Sequence, residues 1–127
     1  MELQREPETV ESFNYGIPPV GQEVEQKLDV NFDILNTTDP SYPQENSIVG
    51  VRVFFTFPFE EFIVGGSVSQ VIHIMNREIK KPSDLSKKEA NEIAIPVFKI
   101  IERLIYEVTE IALDRPGLKI NFAPNEQ

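Results

Sequence analysis

Few side chains in this sequence have a type and spacing that could do chemistry. His73 is the only histidine, and the chain has no cysteine, so a thiolate nucleophile and a thiolate metal site are excluded. No carboxylate stands at ligand spacing from His73, which favours an ordinary strand histidine over a metal ligand. No serine lies in a nucleophile-elbow pattern, and Gly65 and Gly66 lack the lysine of a phosphate-binding loop. We therefore expect no metal, no cofactor and no enzymatic activity.

The acidic residues are better explained by solvation than by catalysis. Four carboxylates alternate with apolar positions over residues 23–35, which is the pattern of a strand with one solvated face. Tyr106, Glu107 and Glu110 lie on the outer side of a predicted helix. The net charge is −9, and residues 1–47 hold ten acidic residues against two basic ones. Because such a chain repels a phosphate backbone, we expect no nucleic-acid partner.

The phenylalanines are a stronger signal. The stretch RVFFTFPFEEF, residues 52–62, holds five of the nine phenylalanines in the chain. In a strand over residues 48–59 every odd position is apolar, so alternation points Phe55, Phe57 and Phe59 into the core. The two remaining rings of the stretch are not explained in this way.

The unexplained rings indicate a binding surface. Phe54 falls on the opposite face of its strand, and Phe62 follows the turn after it. A weaker strand over residues 11–17 adds two more aromatic residues. We predict that extended polypeptides bind along the rim of the sheet at Phe13, Tyr15, Phe54 and Phe62.

Four strands and one helix must position these residues. The predicted strands are residues 11–17, 23–35, 48–59 and 61–75. The last two form an antiparallel hairpin, in which Gly65 and Gly66 mark a bulge or a sharp coil of the sheet. Ser86 and Glu89 form a capping box before a helical apolar pattern that runs from Ala90 to Leu113. Its apolar stripe comprises Ala90, Ile93, Val97, Ile101, Leu104, Val108 and Ile111. Four further residues widen it beyond what a helix needs to lie on one sheet: Ala94, Phe98, Ile105 and Ala112.

Strands followed by one helix indicate an α+β fold. We predict a four-stranded antiparallel sheet packed against one long C-terminal helix, which Pro96 kinks because proline lacks a backbone donor. Residues 118–122 are predicted to form a short closing strand. Residues 1–127 are expected to form a single domain, in which 1–8 and 123–127 are mobile.

The predicted sheet is wider than the predicted helix. A helix covers roughly 10 Å and four strands nearly twice that width. The uncovered apolar face predicts a homo-oligomer, a dimer or a tetramer, with helices sandwiched between sheets. The alternative is that the N-terminal segment and the loops cover the remainder. Without a signal peptide or an apolar run of about 18 residues, we expect a cytoplasmic protein with no membrane span.

Three segments resemble an uncharacterised family of small proteins from lactic-acid bacteria and related Firmicutes. They are KLDVNFDIL (27–35), GGSVSQVIHI (65–74) and ERLIYEVTEIALDRPGLKINF (102–122). The resemblance implies a fold related to the export chaperone SecB, whose protomers carry a four-stranded antiparallel sheet, assemble as tetramers and bind unfolded chains along apolar grooves. LKINFAPN (118–125) is similar to the stretch after the SecB helix. This sequence stops at Gln127, where SecB continues into a second helix that helps to wall the groove.

The leading interpretation is a non-enzymatic, oligomeric, SecB-like protein that binds unfolded or extended polypeptides. One alternative is a small-ligand carrier or an enzyme with a pocket between the sheet and the helix, where Tyr106 or His73 would be a polar handle. Another is a structural assembly component.

Overall fold

The computed structural model describes residues 1–21 and 23–120. Five strands are followed by a 3₁₀ turn and one long helix. Their bounds are β1 (Leu3–Arg5), β2 (Thr9–Gly16), β3 (Lys27–Leu35), β4 (Ser47–Pro58), β5 (Ile63–Ile74), the 3₁₀ turn Pro82–Asp84 and α1 (Lys87–Leu113). All strand pairings are antiparallel. The predicted α+β class and the long C-terminal helix are confirmed.

The sheet has five strands, so the prediction of four is wrong. β3, β4 and β5 lie side by side, and β1 and β2 both pair with the other edge of β5. Arg5 lies opposite Ile72 and Thr9 lies opposite Ser69, so four steps along this edge match three along β5. Pro7 has no N–H group to continue the ladder, which explains the interruption. The start of the chain, predicted to be mobile, therefore contains a short strand.

The core lies between α1 and the inner face of the sheet, which is the face made by the odd residues of β4 and the even residues of β5. Val53 lies opposite Val68, and both side chains are fully buried. Phe55 and Phe57 are buried as predicted, and Phe59 is partly buried. The helix contributes Ile93, Ala94, Val97, Ile101 and Ile105.

The apolar stripe predicted for the helix differs from the observed one at the C-terminal end. The buried residues at this end are Ile105 and Thr109, while Ile111 is 80% exposed. A stripe wider than the contact surface allows either row to be read from periodicity alone.

The irregularity predicted at Gly65 and Gly66 lies on the neighbouring strand. Both glycines pair in regular register with β4, whereas the register of β2 shifts between Val10 and Ser12. A Cβ atom on Gly66 would lie 2.2 Å from the carbonyl oxygen of Ser12. Glycine is thus needed here for the close approach of two backbones, not for a bulge.

The predicted capping box begins α1 and is also joined to the end of the sheet. Ser86 Oγ accepts from the Glu89 amide at 3.1 Å, and Glu89 Oε1 accepts from the Ser86 amide at 2.9 Å. The other carboxylate oxygen of Glu89 accepts from the Arg77 guanidinium. Arg77, which follows β5, also donates to the carbonyl oxygen of Asp84 at 2.8 Å. This network lowers the pKa of Glu89 to about 2, chiefly through the Arg77 hydrogen bond.

Pro96 lies inside α1, as predicted, and Arg5 compensates for the donor that it lacks. In a regular helix residue 96 would donate to the carbonyl oxygen of Glu92, and proline cannot. The Arg5 guanidinium donates to that oxygen at 2.9 Å and to the carbonyl oxygen of Ile93 at 3.0 Å. Strand β1 is thereby joined to the helix.

After α1 the chain turns back against the helix. Asp114 adopts a left-handed conformation at φ 50°. The Leu118 amide donates to Thr109 Oγ1 at 2.8 Å, and that hydroxyl donates to the carbonyl oxygen of Ile105 at 2.7 Å. Residues 118–120 are not in a strand. The rest of the predicted strand 118–122 and the predicted mobile end lie outside the described residues.

We expect Glu89→Gln to lower the free energy of unfolding at neutral pH and to flatten its dependence on pH in acid. Since the native pKa of Glu89 is about 2 against an ordinary value of 4.5, its carboxylate stabilises the fold above pH 4.5. This contribution is lost as the pH falls from 4.5 towards 2. Urea unfolding of both proteins across this interval measures the difference. Glu110→Gln, at an exposed position of the same helix, is the control; equal acid profiles for Glu89→Gln and wild type would contradict the assignment.

Candidate functional site

The helix lies over the two central strands of the sheet. It packs against β4 and β5, and the inner faces of the outer strands are only partly covered. On β3 these side chains form what we call the β3 strip: Leu28, Val30, Phe32 and Ile34. Leu28 is 41% exposed, and the other three are half-buried. Apolar surface therefore stays partly exposed on the inner face of the sheet, beside the helix.

The opposite edge repeats this arrangement on β2. There the inner-face residues Val10, Phe13 and Tyr15 form the β2 strip. Phe13 is half-buried, whereas Val10 and Tyr15 are exposed. Together the strips leave an apolar band on each side of α1. Sheet alternation explains the spacing of two residues within the β3 strip and between Phe13 and Tyr15, and the register shift between Val10 and Ser12 adds one residue before Phe13.

The four aromatic residues predicted to bind polypeptide are divided between two faces. Phe62 is 5% exposed, with its ring centroid 4.8 Å from that of Phe59 and 5.4 Å from that of Tyr15. Phe13 lies on the same inner face, 6.1 Å from Phe55. Phe54 is exposed on the outer face, away from the other three. The structure thus brings Phe13, Tyr15 and Phe62 to one side, and it places Phe62 in the core and not on the rim.

Sequence reasoning missed the exposure of Leu28. Its even position in the alternating stretch 23–35 marks it as inward-facing, which is correct. Periodicity indicates which face is apolar but not which strands a helix covers. The missing signal was the position of β3 at the edge of the sheet, beyond the reach of α1.

The outer face around Phe54 is polar and crosslinked. Phe54 lies opposite Asp29 on β3 and Ser67 on β5. Next to it along β4, Arg52 donates two hydrogen bonds to the Glu11 carboxylate at 2.7 and 2.8 Å. The Arg52 hydrogen bond lowers the pKa of Glu11. The side chains next to the exposed ring of Phe54 on this face are therefore small or charged.

His73 lies in a hydrogen-bonded chain of three side chains on the outer face. Its Nε2 atom is 2.9 Å from Glu6 Oε2, and its Nδ1 atom is 3.1 Å from the Tyr42 hydroxyl. Burial raises the pKa of Tyr42. The chain connects the segment after β1, the β3–β4 connection and β5. His73 therefore does not line a pocket between the sheet and the helix.

Tyr106, the other predicted polar handle, also lies elsewhere. Its carbonyl oxygen is close to Gly117, and its side chain borders a shallow depression with Lys119 and Ile120. A larger cavity of about 610 Å³ lies between the β3–β4 connection and residues 78–80. Its lining is mostly polar and includes Tyr42, Asn46 and Lys80.

Comparison with known proteins assigns a family. Residues 1–122 match the protein family described as "Protein of unknown function (DUF1149)". The chain belongs to the DUF1149 family. No curated protein is significantly similar to it. Within the described part of this DUF1149 chain, no helix is long and apolar enough to cross a membrane.

Two solved structures share the fold of this DUF1149 protein. A protein of unknown function from Streptococcus agalactiae is 33% identical with a TM-score of 0.87, and the alignment covers 96% of this chain and 98% of that one. A SecB-like chaperone from Mycobacterium tuberculosis, solved with a ChAD peptide from the HigA1 antitoxin, is 11% identical with a TM-score of 0.54. That alignment covers 96% of this chain and 90% of the other. The predicted SecB-like fold is confirmed as a fold.

We expect Phe62→Ala and Phe54→Ala to differ sharply in stability. Removing the buried ring of Phe62 leaves a cavity beside Phe59 and Tyr15 and costs about 3–5 kcal/mol. Removing the exposed ring of Phe54 costs less than about 1 kcal/mol. The free energy of unfolding in urea measures both changes. Similar losses for the two variants would show that Phe62 is not part of the core.

Proposed function

We propose that this DUF1149 protein is a non-enzymatic, cytoplasmic, oligomeric protein that binds unfolded or extended polypeptides in the manner of a chaperone. The observation that carries the proposal is the β3 strip, above all Leu28, which is 41% exposed on the inner face of the sheet. An apolar row of this kind calls for a covering partner. A SecB-like chaperone has the same fold, which supports the proposal.

An extended polypeptide suits the geometry of the strips. Its side chains repeat every two residues, as do those of the β3 strip and those of Phe13 and Tyr15 in the β2 strip. The outward edge of β3 has no strand beside it within the described residues. An incoming strand would find unpaired backbone groups there as well as apolar side chains. The SecB-like chaperone that shares the fold was solved with a bound peptide, which supports the same class of ligand.

The four predicted binding residues take different parts in this proposal. Phe13 and Tyr15 belong to the β2 strip and would contact a polypeptide directly. Phe62 would act from beneath by holding the ring of Tyr15. Phe54 would contribute only to a partner that also reaches the outer face.

Self-association would use the exposed apolar flank of α1. Ile111 is 80% exposed near the end of the helix, and Leu104 and Val108 on the same side are half-buried. A second helix packed here would cover the stripe that one sheet leaves open, giving a dimer or a tetramer. The strips on the outer strands would remain free for a polypeptide.

The polar cavity favours a second candidate, the binding of a small polar ligand. Its volume of about 610 Å³ is within the range of small-molecule sites, and Tyr42 and Lys80 provide hydrogen-bonding groups. This site lies beside the β3–β4 connection and meets the β3 strip only at Ile34, at the other end of the strip from Leu28. Binding there would not depend on Leu28.

We expect Leu28→Asn to weaken suppression of the aggregation of a chemically unfolded client protein, measured by light scattering at increasing ratios of protein to client. Desolvation of apolar surface drives such binding, so a polar side chain in the β3 strip should reduce it several-fold. Leu35→Asn is the matched control, because Leu35 is 39% exposed on the same strand but faces outward.

Two results would oppose the proposal. If wild-type protein in stoichiometric excess leaves client aggregation unchanged, the chaperone-like activity is absent. If both leucine variants lose activity equally, the β3 strip is not the binding surface.

We expect wild-type protein to have the mass of a dimer or a tetramer in solution, and Ile111→Asn to reduce it. A polar side chain at this exposed position removes apolar contact between copies while leaving the core of the protomer intact. Light scattering coupled to size exclusion gives the mass. A wild-type monomer would rule out the proposed self-association, and an unchanged mass for Ile111→Asn would place the contact elsewhere.

A further inference from the structure

Strand β1 occupies a site built around a buried amide. Gln70 points to the inner face of β5 and is 4% exposed. Its Oε1 atom accepts from the Arg5 guanidinium at 3.2 Å, and its Nε2 atom donates to the carbonyl oxygen of Glu6 at 2.7 Å. Both polar ends of this buried side chain are therefore satisfied by the N-terminal segment.

The same site presents two helix carbonyl groups. Pro96 leaves the carbonyl oxygen of Glu92 without its helical donor, and this oxygen and that of Ile93 accept from Arg5. Three acceptors close together require several donors on one rigid group. Arginine has five N–H donors in a planar fork, whereas lysine offers a single ammonium group. The arrangement of acceptors therefore suits the fork of an arginine better than a lysine ammonium group.

The edge of β5 supplies backbone and apolar contacts. The Met75 amide donates to the carbonyl oxygen of Glu2 at 2.9 Å, and the Glu6 amide donates to that of Val71 at 2.9 Å. Leu3 lies opposite Ile74 and packs against the core. The site reads a leucine and, two residues later, an arginine on one face of an extended chain.

The strand in this site is short and separately attached. β1 has three residues and is divided from β2 by the interruption at Pro7, and among residues 1–21 and 23–120 it pairs only with β5. It can therefore leave β5 without unpairing β2. Short edge segments open at a lower free-energy cost than the central strands of a fold.

We propose that this site binds an extended segment of another polypeptide with an apolar residue followed two positions later by arginine, and that β1 fills it in cis until displaced. This goes beyond general binding to apolar strips, because it adds a sequence-selective site at the opposite edge of the sheet from β3. The partner is a separate polypeptide, and its recognition follows from Gln70 and the carbonyl groups of Glu92 and Ile93.

The test uses a fluorescent peptide of residues 1–8, MELQREPE, and the full-length protein. In the wild type the peptide competes with a tethered copy whose effective concentration is millimolar in scale, so binding is weak. Arg5→Ala weakens the tethered copy, and we expect fluorescence anisotropy to show peptide binding about tenfold tighter than to wild type. The same peptide with alanine in place of arginine should bind at least about tenfold more weakly than the arginine peptide. Arg52→Ala is the matched protein control, since Arg52 pairs with Glu11 of β2 on the other face.

The outcomes separate this proposal from the chaperone-like function. Equal binding of the two peptides, or no gain in Arg5→Ala, would overturn it whatever the aggregation assay shows. Leu3→Ser gives a second route if Arg5→Ala fails to fold, because it weakens β1 while leaving the arginine site intact; it too should increase peptide binding. Protection of the Met75 amide from hydrogen exchange by the peptide would locate it at β5. A rise in mass on mixing Arg5→Ala with wild-type protein, which keeps Arg5, would mean that the N-terminal segment of a second copy fills the site, which would overturn the assignment to a separate polypeptide.

Discussion

The pairing of β4 with β5 is the contact on which the rest of this fold depends. Its ladder runs without a register shift from Ser47 opposite Ile74 to Pro58 opposite Ile63. β3 attaches to one side of it, β1 and β2 attach to the other, and α1 lies across both strands. The inner row of this hairpin is formed almost entirely of valine, isoleucine and phenylalanine, so its desolvation is the main driving force for packing the helix. The β3 strip and the β2 strip lie where the helix no longer covers the sheet.

The elements with a strong local signal could be predicted from the sequence. Twelve residues of alternating apolar pattern define β4, and Ser86 with Glu89 marks the first turn of α1. β1 could not be found in this way, because three residues are too few to show a period and Pro7 follows at once. The edge of the sheet beside β5 was therefore predicted as one strand over residues 11–17, whereas the structure has two strands there, β1 and β2.

Prediction of the site was limited by contacts between distant parts of the chain. Alternation correctly separates Phe54 from Phe55 and Phe57, since it is a property of one strand. Phe62 lies in a turn, where no period applies, and only its stacking on Tyr15 and Phe59 shows that it is buried. The hydrogen bonds of Arg5 to Gln70 and to the helix span 65 residues or more of sequence. Nothing local to Arg5 distinguishes it from a solvated side chain at the start of a chain.

The position of α1 at the end of the strand order has a consequence for synthesis. Chains leave the ribosome from the N-terminus, so both strands of the central hairpin emerge before Lys87–Leu113. Until the last turn of the helix has left the exit tunnel, the apolar inner face of the hairpin is not covered by the helix. During that interval the exposed apolar face of the nascent chain is prone to aggregation. Pauses in translation before Leu113 would prolong this exposure.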